Sequence, residues 1–287
     1  MDITKIYKKG YSAVNEDAYA INHSDSIYAV MDGATGLETL SGDIASRVVK
    51  EEMLKENPDQ SLLERVTKAN QLTGEATVAR YKEIGGSVKE DSIEHMSKLH
   101  RSSTGAAIIQ FNRAQTTFDY VHAGDCMIVL QYENGDIRFL TYDLISYLDQ
   151  RAIEELDRLN QATSTPSLSF AERKKSLSPL LKENRCTSNT RHGYGIIDGS
   201  KAALHHIEYG RIALNRVQQI LLISDGLQIP LSTGETKTWE KTAAYAFENG
   251  LDRLVEKIEK READDPDCRV YPRLKPADDK TALLLTL

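Results

Sequence analysis

The sequence predicts an α+β fold: two packed antiparallel sheets with helices on their outer faces. Three observations predict it. β-rich runs occur in both halves of the 287-residue chain, and a pair of helical segments follows each set. Neighbouring runs are separated by hairpin-length turns, which favours antiparallel pairing over a βαβ order. No repeat and no linker divides the chain, so residues 1–287 read as one domain.

Taken in order, residues 17–22 and 27–31 form two strands joined by the polar turn His23–Ser26. From about residue 38 the period changes. Leu40, Ile44, Val48 and Met53 approach one helical face, and Asn57-Pro58-Asp59 stops that helix. Asp59 or Ser61 can cap a second long helix, about 61–84, which ends at Gly85-Gly86. After a polar connection, strands are expected at 104–111, 117–123, 125–132 and 136–140. Asn134-Gly135 reads as a two-residue hairpin turn between the last two. Residues 145–182 read as helical with a break near Ser164-Thr-Pro166. Residues 183–200 lack a period and read as a surface insertion. Strands return at 202–208, which holds His205-His206 on opposite faces, and at 217–223. Helices at about 237–248 and 251–262 and a Pro- and Asp-rich stretch lead to a last strand, 281–287.

Composition narrows the function. Net charge is −7 with acids and bases interspersed, which argues against nucleic-acid binding, since phosphate-backbone affinity needs clustered Lys and Arg. No apolar run reaches the ~20 residues needed to span a bilayer, and the first residues carry no apolar signal region. Cys126, Cys186 and Cys268 match neither a disulfide framework nor a zinc spacing. A cytoplasmic location is the expectation.

Four acidic groups fall where an apolar strand meets a loop: Glu16-Asp17, Asp32-Gly33, Asp225-Gly226 and Asp278-Asp279. Each alone is ordinary turn or surface chemistry. Ile196-Ile-Asp198-Gly199 has the same form and reads as a plain turn. Together, carboxylates at strand ends can converge on one point.

Their context resembles a known family. Asn15-Glu-Asp-Ala18, Val30-Met-Asp-Gly33, Ser103-Thr-Gly-Ala106, Ala123-Gly-Asp-Cys126, Leu221-Leu-Ile-Ser-Asp-Gly-Leu227 and Asp278-Asp-Lys-Thr281 are similar, in order, to motifs of the metal-dependent protein phosphatases of the protein phosphatase 2C family, particularly its shorter bacterial members. The resemblance implies a four-layer αββα sandwich holding two Mn²⁺ or Mg²⁺ ions at one end. It implies that Asp32 bridges the ions, that the Gly33 carbonyl ligates one, and that Asp225 and Asp278 complete the other. Glu16 and Asp17 correspond to the acidic pair that holds ion-bound water, and Asp125 to a ligand of a weaker third ion in some members. Asp17, Asp32, Asp225 and Asp278 are thus the expected catalytic residues. The expected substrate is phosphoserine or phosphothreonine in proteins, made by a Ser/Thr kinase system, and the expected enzyme is a monomer. The residue chemistry agrees: carboxylates, a carbonyl and water form an all-oxygen shell suited to hard cations, and two such ions suit in-line phosphoryl transfer to water.

Two positions depart from the family pattern. Ala34 stands where some relatives carry a His that can protonate the leaving group. Ser12 stands where the family often has an Arg that grips the phosphate, which leaves Lys8 or Lys9 as substitute cations. Residues 183–200 correspond to the family's variable flap, so Arg185 and Arg191 are candidate substrate contacts. His122 reads as a strand histidine. Two other functions stay open at this stage: a phosphatase-fold binding or regulatory module with little catalysis, and a phosphatase of a small phosphorylated metabolite.

Overall fold

The computed structural model describes residues 1–161, 168–232, 234–235 and 238–287. Two five-stranded antiparallel sheets stack face to face. One has the order β1 (Asp2–Lys8), β10 (Lys280–Thr286), β9 (Val217–Ile223), β6 (Met127–Tyr132), β7 (Ile137–Phe139). The other has the order β2 (Ala18–Asn22), β3 (Ile27–Ala34), β4 (Ser103–Phe111), β5 (Thr117–Ala123), β8 (Glu208–Ala213).

Both faces of the central strands are apolar because each strand serves two cores. In β3, Tyr28 and Val30 face the other sheet, while Ile27, Ala29 and Met31 face helices α1 (Asp43–Leu54) and α2 (Leu62–Glu83). In β9 and β10, Ile220, Leu222, Leu283 and Leu285 fill the space between the sheets. Leu221, Ile223, Ala282 and Leu284 pack on α6 (Thr238–Asn249) and α7 (Leu251–Asp264). This period-two division between three cores builds the αββα sandwich predicted from the sequence. Three further helices, α3 (Ser146–Gln161), α4 (Phe170–Ser176) and α5 (Ser178–Cys186), follow β7. The helix break expected at 164–166 lies outside the described residues. Among the described residues no helix is long and apolar enough to cross a membrane.

Local chemistry sets several boundaries. Ser61 caps α2 in a reciprocal box: its hydroxyl accepts from Glu64 N at 3.3 Å, and its N–H donates to the Glu64 carboxylate at 2.9 Å. The helix closes with bonds from Gly85 N to Lys82 O and from Gly86 N to Tyr81 O.

Several expectations need correction. The β6–β7 turn has three residues, not two: Tyr132 N bonds Asp136 O, and only Gly135 adopts positive φ, at 87°. A two-residue type I′ turn would need positive φ at Asn134 as well. Residues 201–205 form a 3₁₀ turn and the strand starts at Glu208, so His205 and His206 are not strand neighbours. Bonds from His206 N and Ile207 N to Ala203 O hold that turn. The sequence pattern missed β1, an edge strand whose exposed polar residues hide it and whose one partner among the described residues is β10.

Residues 183–200 begin as the end of α5 and then pack inward rather than lying on the surface. Asn189 closes a loop by bonding both the N–H and the carbonyl of Ile196 at 2.9 Å, and Ile197 bridges Thr104. Arg185 is buried and donates to Ser103 Oγ at 2.6 Å and to the Ala34 and Arg101 carbonyls, whereas Arg191 is exposed.

One buried ion pair fastens α2 to the β2–β3 hairpin. Arg65 is fully buried, pairs with the Asp25 carboxylate, and donates to the carbonyls of Lys55 at 2.6 Å and Asn57 at 2.5 Å. Removing the guanidinium strands a buried carboxylate and two carbonyls. Arg65→Ala is expected to cost about 3–5 kcal/mol in urea unfolding; a loss under about 1 kcal/mol would contradict this role for the pair.

Candidate metal centre

The strand ends of both sheets meet at one end of the sandwich. β2 begins there after Glu16-Asp17, and β3 delivers Asp32 and Gly33 opposite Gly105 and Thr104 of β4. β5 leads through Gly124 to Asp125, β9 leads to Asp225, and β10 starts after Asp278-Asp279. The convergence depends on close backbone approach. A Cβ on Gly226 would lie 1.8 Å from Asp279 O, so only glycine lets Asp225 sit against Asp278-Asp279. A Cβ on Gly33 would lie 2.2 Å from Glu16 O, so the same holds where β3 passes the Glu16-Asp17 turn.

Asp279 ties the two chain ends together. Its carboxylate accepts from Gly10 N and Glu16 N, both at 2.7 Å, which pins the loop before Asp17 to the start of β10. Asp17 is almost fully buried and accepts from Ser224 Oγ at 2.9 Å. Thr104 Oγ1 donates to Asp32 O at 2.9 Å and fixes the end of β3. The Asp32 and Asp225 carboxyls stand close enough to share a hydrogen bond. Carboxylate oxygens of Asp125, Asp149 and Asp225 lie within 4.8 Å of one another.

The electrostatics are those of like charges crowded together and partly withdrawn from water. Burial raises Asp17, Asp32 and Asp125 well above the usual carboxylate range. Neighbouring carboxylates add to it: Asp278 and Asp225 at Asp17, Asp17, Asp225 and Asp125 at Asp32, and Asp225, Asp143 and Asp149 at Asp125. Burial together with Asp278 pushes Asp225 up to about 6, and burial together with Asp225 and Asp143 pushes Asp149 up to about 7. Three other buried acids in this chain have a guanidinium partner: Asp25 with Arg65, Asp198 with Arg101 at 2.9 Å, and Asp265 with Arg273 at 3.1 Å. Asp17, Asp32, Asp125 and Asp225 have no ion-pair partner among the described residues. An all-oxygen set of carboxylates so crowded fits divalent hard cations.

The structure thus brings together Asp17, Asp32, Asp125, Asp225 and Asp278, and separates out three other candidates. Glu16 turns to the loop after β3, where one carboxylate oxygen accepts from Ser41 Oγ at 2.6 Å, Gly42 N at 2.8 Å and Thr35 Oγ1. Lys8 pairs with Glu259 of α7 at 2.5 Å, because the last residue of β1 lies beside that helix. Lys9 donates to Ala13 O at 3.3 Å within its own loop. Ser12 is exposed in the same loop.

Sequence reasoning missed two members. Asp149 lies in the first turn of α3, where an acid ordinarily serves the helix dipole. Lys275, from the polar stretch before β10, donates to Asp278 Oδ1 at 2.6 Å. Asp143 is nearby but serves structure: it accepts from Ile145 N, Ser146 N and Trp239 Nε1. Asp198, the look-alike Asp-Gly, is a turn as expected, bonded to Ser200 N and Oγ. His122 is buried on β5 with Nδ1 3.3 Å from Glu208.

The raised carboxylates have a consequence for pH. Their folded-state values exceed the unfolded value of about 3.9, so their contribution to stability is complete below that value. It is lost as pH rises through about 6 for Asp225 and about 7 for Asp149. Metal-stripped protein should therefore melt several degrees higher at pH 6 than at pH 8, and added Mn²⁺ should remove most of that difference. A metal-free melting temperature that rises with pH over this window would contradict the crowding.

The chain matches the model of the protein phosphatase 2C family over residues 8–265. No curated protein matches it by sequence. Among solved structures it is similar to the Mycobacterium tuberculosis serine/threonine phosphatase PstP/Ppp, with TM-score 0.57 and 18% identity over 100% of this chain and 98% of that one. It is similar to the Staphylococcus aureus serine/threonine phosphatase Stp1, with TM-score 0.56 and 15% identity over 100% and 94%. It is also similar to the catalytic domain of PstP in complex with two manganese ions, with TM-score 0.53 and 18% identity over 99% and 96%. At these identities the structural likeness speaks for the fold, and the family match adds the lineage: this chain belongs to the protein phosphatase 2C family.

Proposed function

We propose that this protein hydrolyses phosphoserine and phosphothreonine in proteins, using water activated at two divalent cations, Mn²⁺ or Mg²⁺. Asp32, Asp225 and Asp278 hold the ions with the Gly33 carbonyl, Asp17 completes the shell, and Asp125 with Asp149 offers a third, weaker position. The observation that carries this is the meeting of crowded aspartates from both ends of the chain at one end of the sandwich. The same observation supports reading residues 1–287 as one catalytic domain.

Each residue has a task in this reading. Divalent cations in the shell would polarise the phosphoryl group and acidify water near neutral pH. Asp32, fixed through its carbonyl by Thr104, presents its carboxylate from a strand end, so its direction is set before a cation arrives. Ser224 orients Asp17. The Asp279 clamp holds the 10–17 loop beside Asp278. Ala34 offers no acid for the leaving group, so its alkoxide would take a proton from water or from another residue. A cleaved phosphoprotein and the kinase that made it are the partners this implies.

With Mn²⁺ the wild-type protein should turn over a small aryl phosphate and a phosphoserine peptide, and excess EDTA should stop both. Asp32→Asn should lower kcat by roughly a thousandfold, on the scale of losing a main electrostatic contributor, without unfolding the protein. Turnover that survives EDTA would end this reading, and a rate higher on small phosphorylated metabolites than on phosphopeptides would move it to that substrate class.

A further inference from the structure

Lys275 is unlike the other buried-facing lysine of this region. Lys280 is 2% exposed and fully engaged, donating to Glu262 Oε1 and Asp278 O at 2.9 Å each, as a structural counter-ion does. Lys275 also touches Asp278, through the carboxylate at 2.6 Å, yet its side chain is 39% exposed. It lies between the aspartates and solvent.

Its backbone is held firmly. Asp265 accepts from the N–H groups of Arg269, Val270 and Tyr271 at 2.8–3.0 Å, and from Arg273. Arg273 in turn donates to the carbonyls of Asp265, Tyr271 and Pro276. The stretch before β10 is thus a braced loop that presents one flexible ammonium at the rim of the acidic cluster.

Charge balance says what that ammonium is for. Asp17, Asp32, Asp125, Asp149, Asp225 and Asp278 supply six carboxylates, which exceed the four positive charges of two divalent cations while the weaker third position is empty. A phosphate monoester would then approach an anionic shell. Ser12 supplies no guanidinium, Lys8 is paired with Glu259, and Lys9 is turned to its own loop. Lys174 of α4 feels Asp278 but makes no ion pair with it among the described residues. A cation held at Asp278 would cancel the attraction that draws Lys275 inward. Its four-carbon stem lets the ammonium swing outward as a point charge.

We propose that Lys275 is the phosphate-binding cation of this protein: it contacts a non-bridging oxygen of the substrate phosphate from the β10 side of the site, in place of a guanidinium from the 10–17 loop. The proposal rests on the reading of the cluster as a phosphate-ester centre, and its test separates the two.

Lys275→Met, Lys275→Gln and Lys275→Arg would be compared with wild type in Mn²⁺-saturated protein by calorimetric titration with inorganic phosphate. The Met and Gln variants should bind phosphate about tenfold more weakly, since a charge-assisted contact is lost, and Arg should restore most of it. A separate Mn²⁺ titration of metal-stripped protein should show affinity unchanged or tighter in the Met and Gln variants, because a competing cation has gone. On an aryl phosphate, KM should rise by a similar factor with kcat less affected. Phosphate binding equal to wild type in both neutral variants, phosphate loss traced entirely to weakened Mn²⁺ binding, or a wild type that binds no phosphate would each overturn the proposal. A wild type that binds Mn²⁺ and phosphate through Lys275 but shows no turnover would overturn the hydrolase reading alone.

Discussion

Repulsion between crowded carboxylates is the constraint around which this molecule is arranged. Asp17, Asp32, Asp125 and Asp225 lie together without a guanidinium, and burial with mutual repulsion lifts their proton affinities. The chain handles three other buried acids differently. Asp25, Asp198 and Asp265 each face an Arg, and Asp265 also collects three backbone N–H groups. That contrast is what supports reading the crowded acids as cation ligands. It also explains why Asp198-Gly199 and Asp225-Gly226, alike in sequence, differ in use. The first meets Arg101 and Ser200, whereas the second meets only other carboxylates and Lys275.

Such crowding requires backbones that hold against it. Strand ends provide the stiffness, and close approaches provide the placement. The Gly226–Asp279 and Gly33–Glu16 contacts leave no room for a Cβ, and the Asp279 carboxylate grips two N–H groups of the N-terminal loop. β1 pairs with β10 along seven register positions, so the first and last strands share one ladder. The site is therefore assembled by the most non-local contacts of the fold, and its acids meet only when both sheets are in place.

That non-locality decides what could be read in the sequence. The helices α1, α2, α6 and α7 and the central strands were legible because their apolar periods are local and strong. Asp17, Asp32, Asp225 and Asp278 were legible as strand-end acids, and the family resemblance named their meeting point. β1 was not, because an edge strand with Lys5 and Lys8 outward carries little apolar signal and depends on β10. The 201–205 segment has strand-like apolar content but begins after Gly199 and Ser200, whose turn geometry winds it into a 3₁₀ turn instead. Arg185 looked like a flap residue because its partners, Ala34, Arg101 and Ser103, are far away in sequence. Asp149 and Lys275 had no signal at all. An acid in a helix's first turn and a lysine beside a proline are ordinary until the fold places them against Asp225 and Asp278.

The placement of the cluster also couples ligand binding to the sandwich itself. Asp17, Asp32 and Asp125 hang from the sheet that packs on α1 and α2, while Asp225 and Asp278 hang from the sheet that packs on α6 and α7. A cation held by acids of both sets would tie the sheets together at the end where their repulsion is greatest. Its binding energy would then add to that of the interface formed by Val30, Ile109, Leu222 and Leu283. The order of events follows. Apolar burial between the sheets must form first and hold the aspartates together against their charge, because separated acids at strand ends are weak ligands. Only the assembled sandwich presents the dense oxygen shell that a hard cation selects.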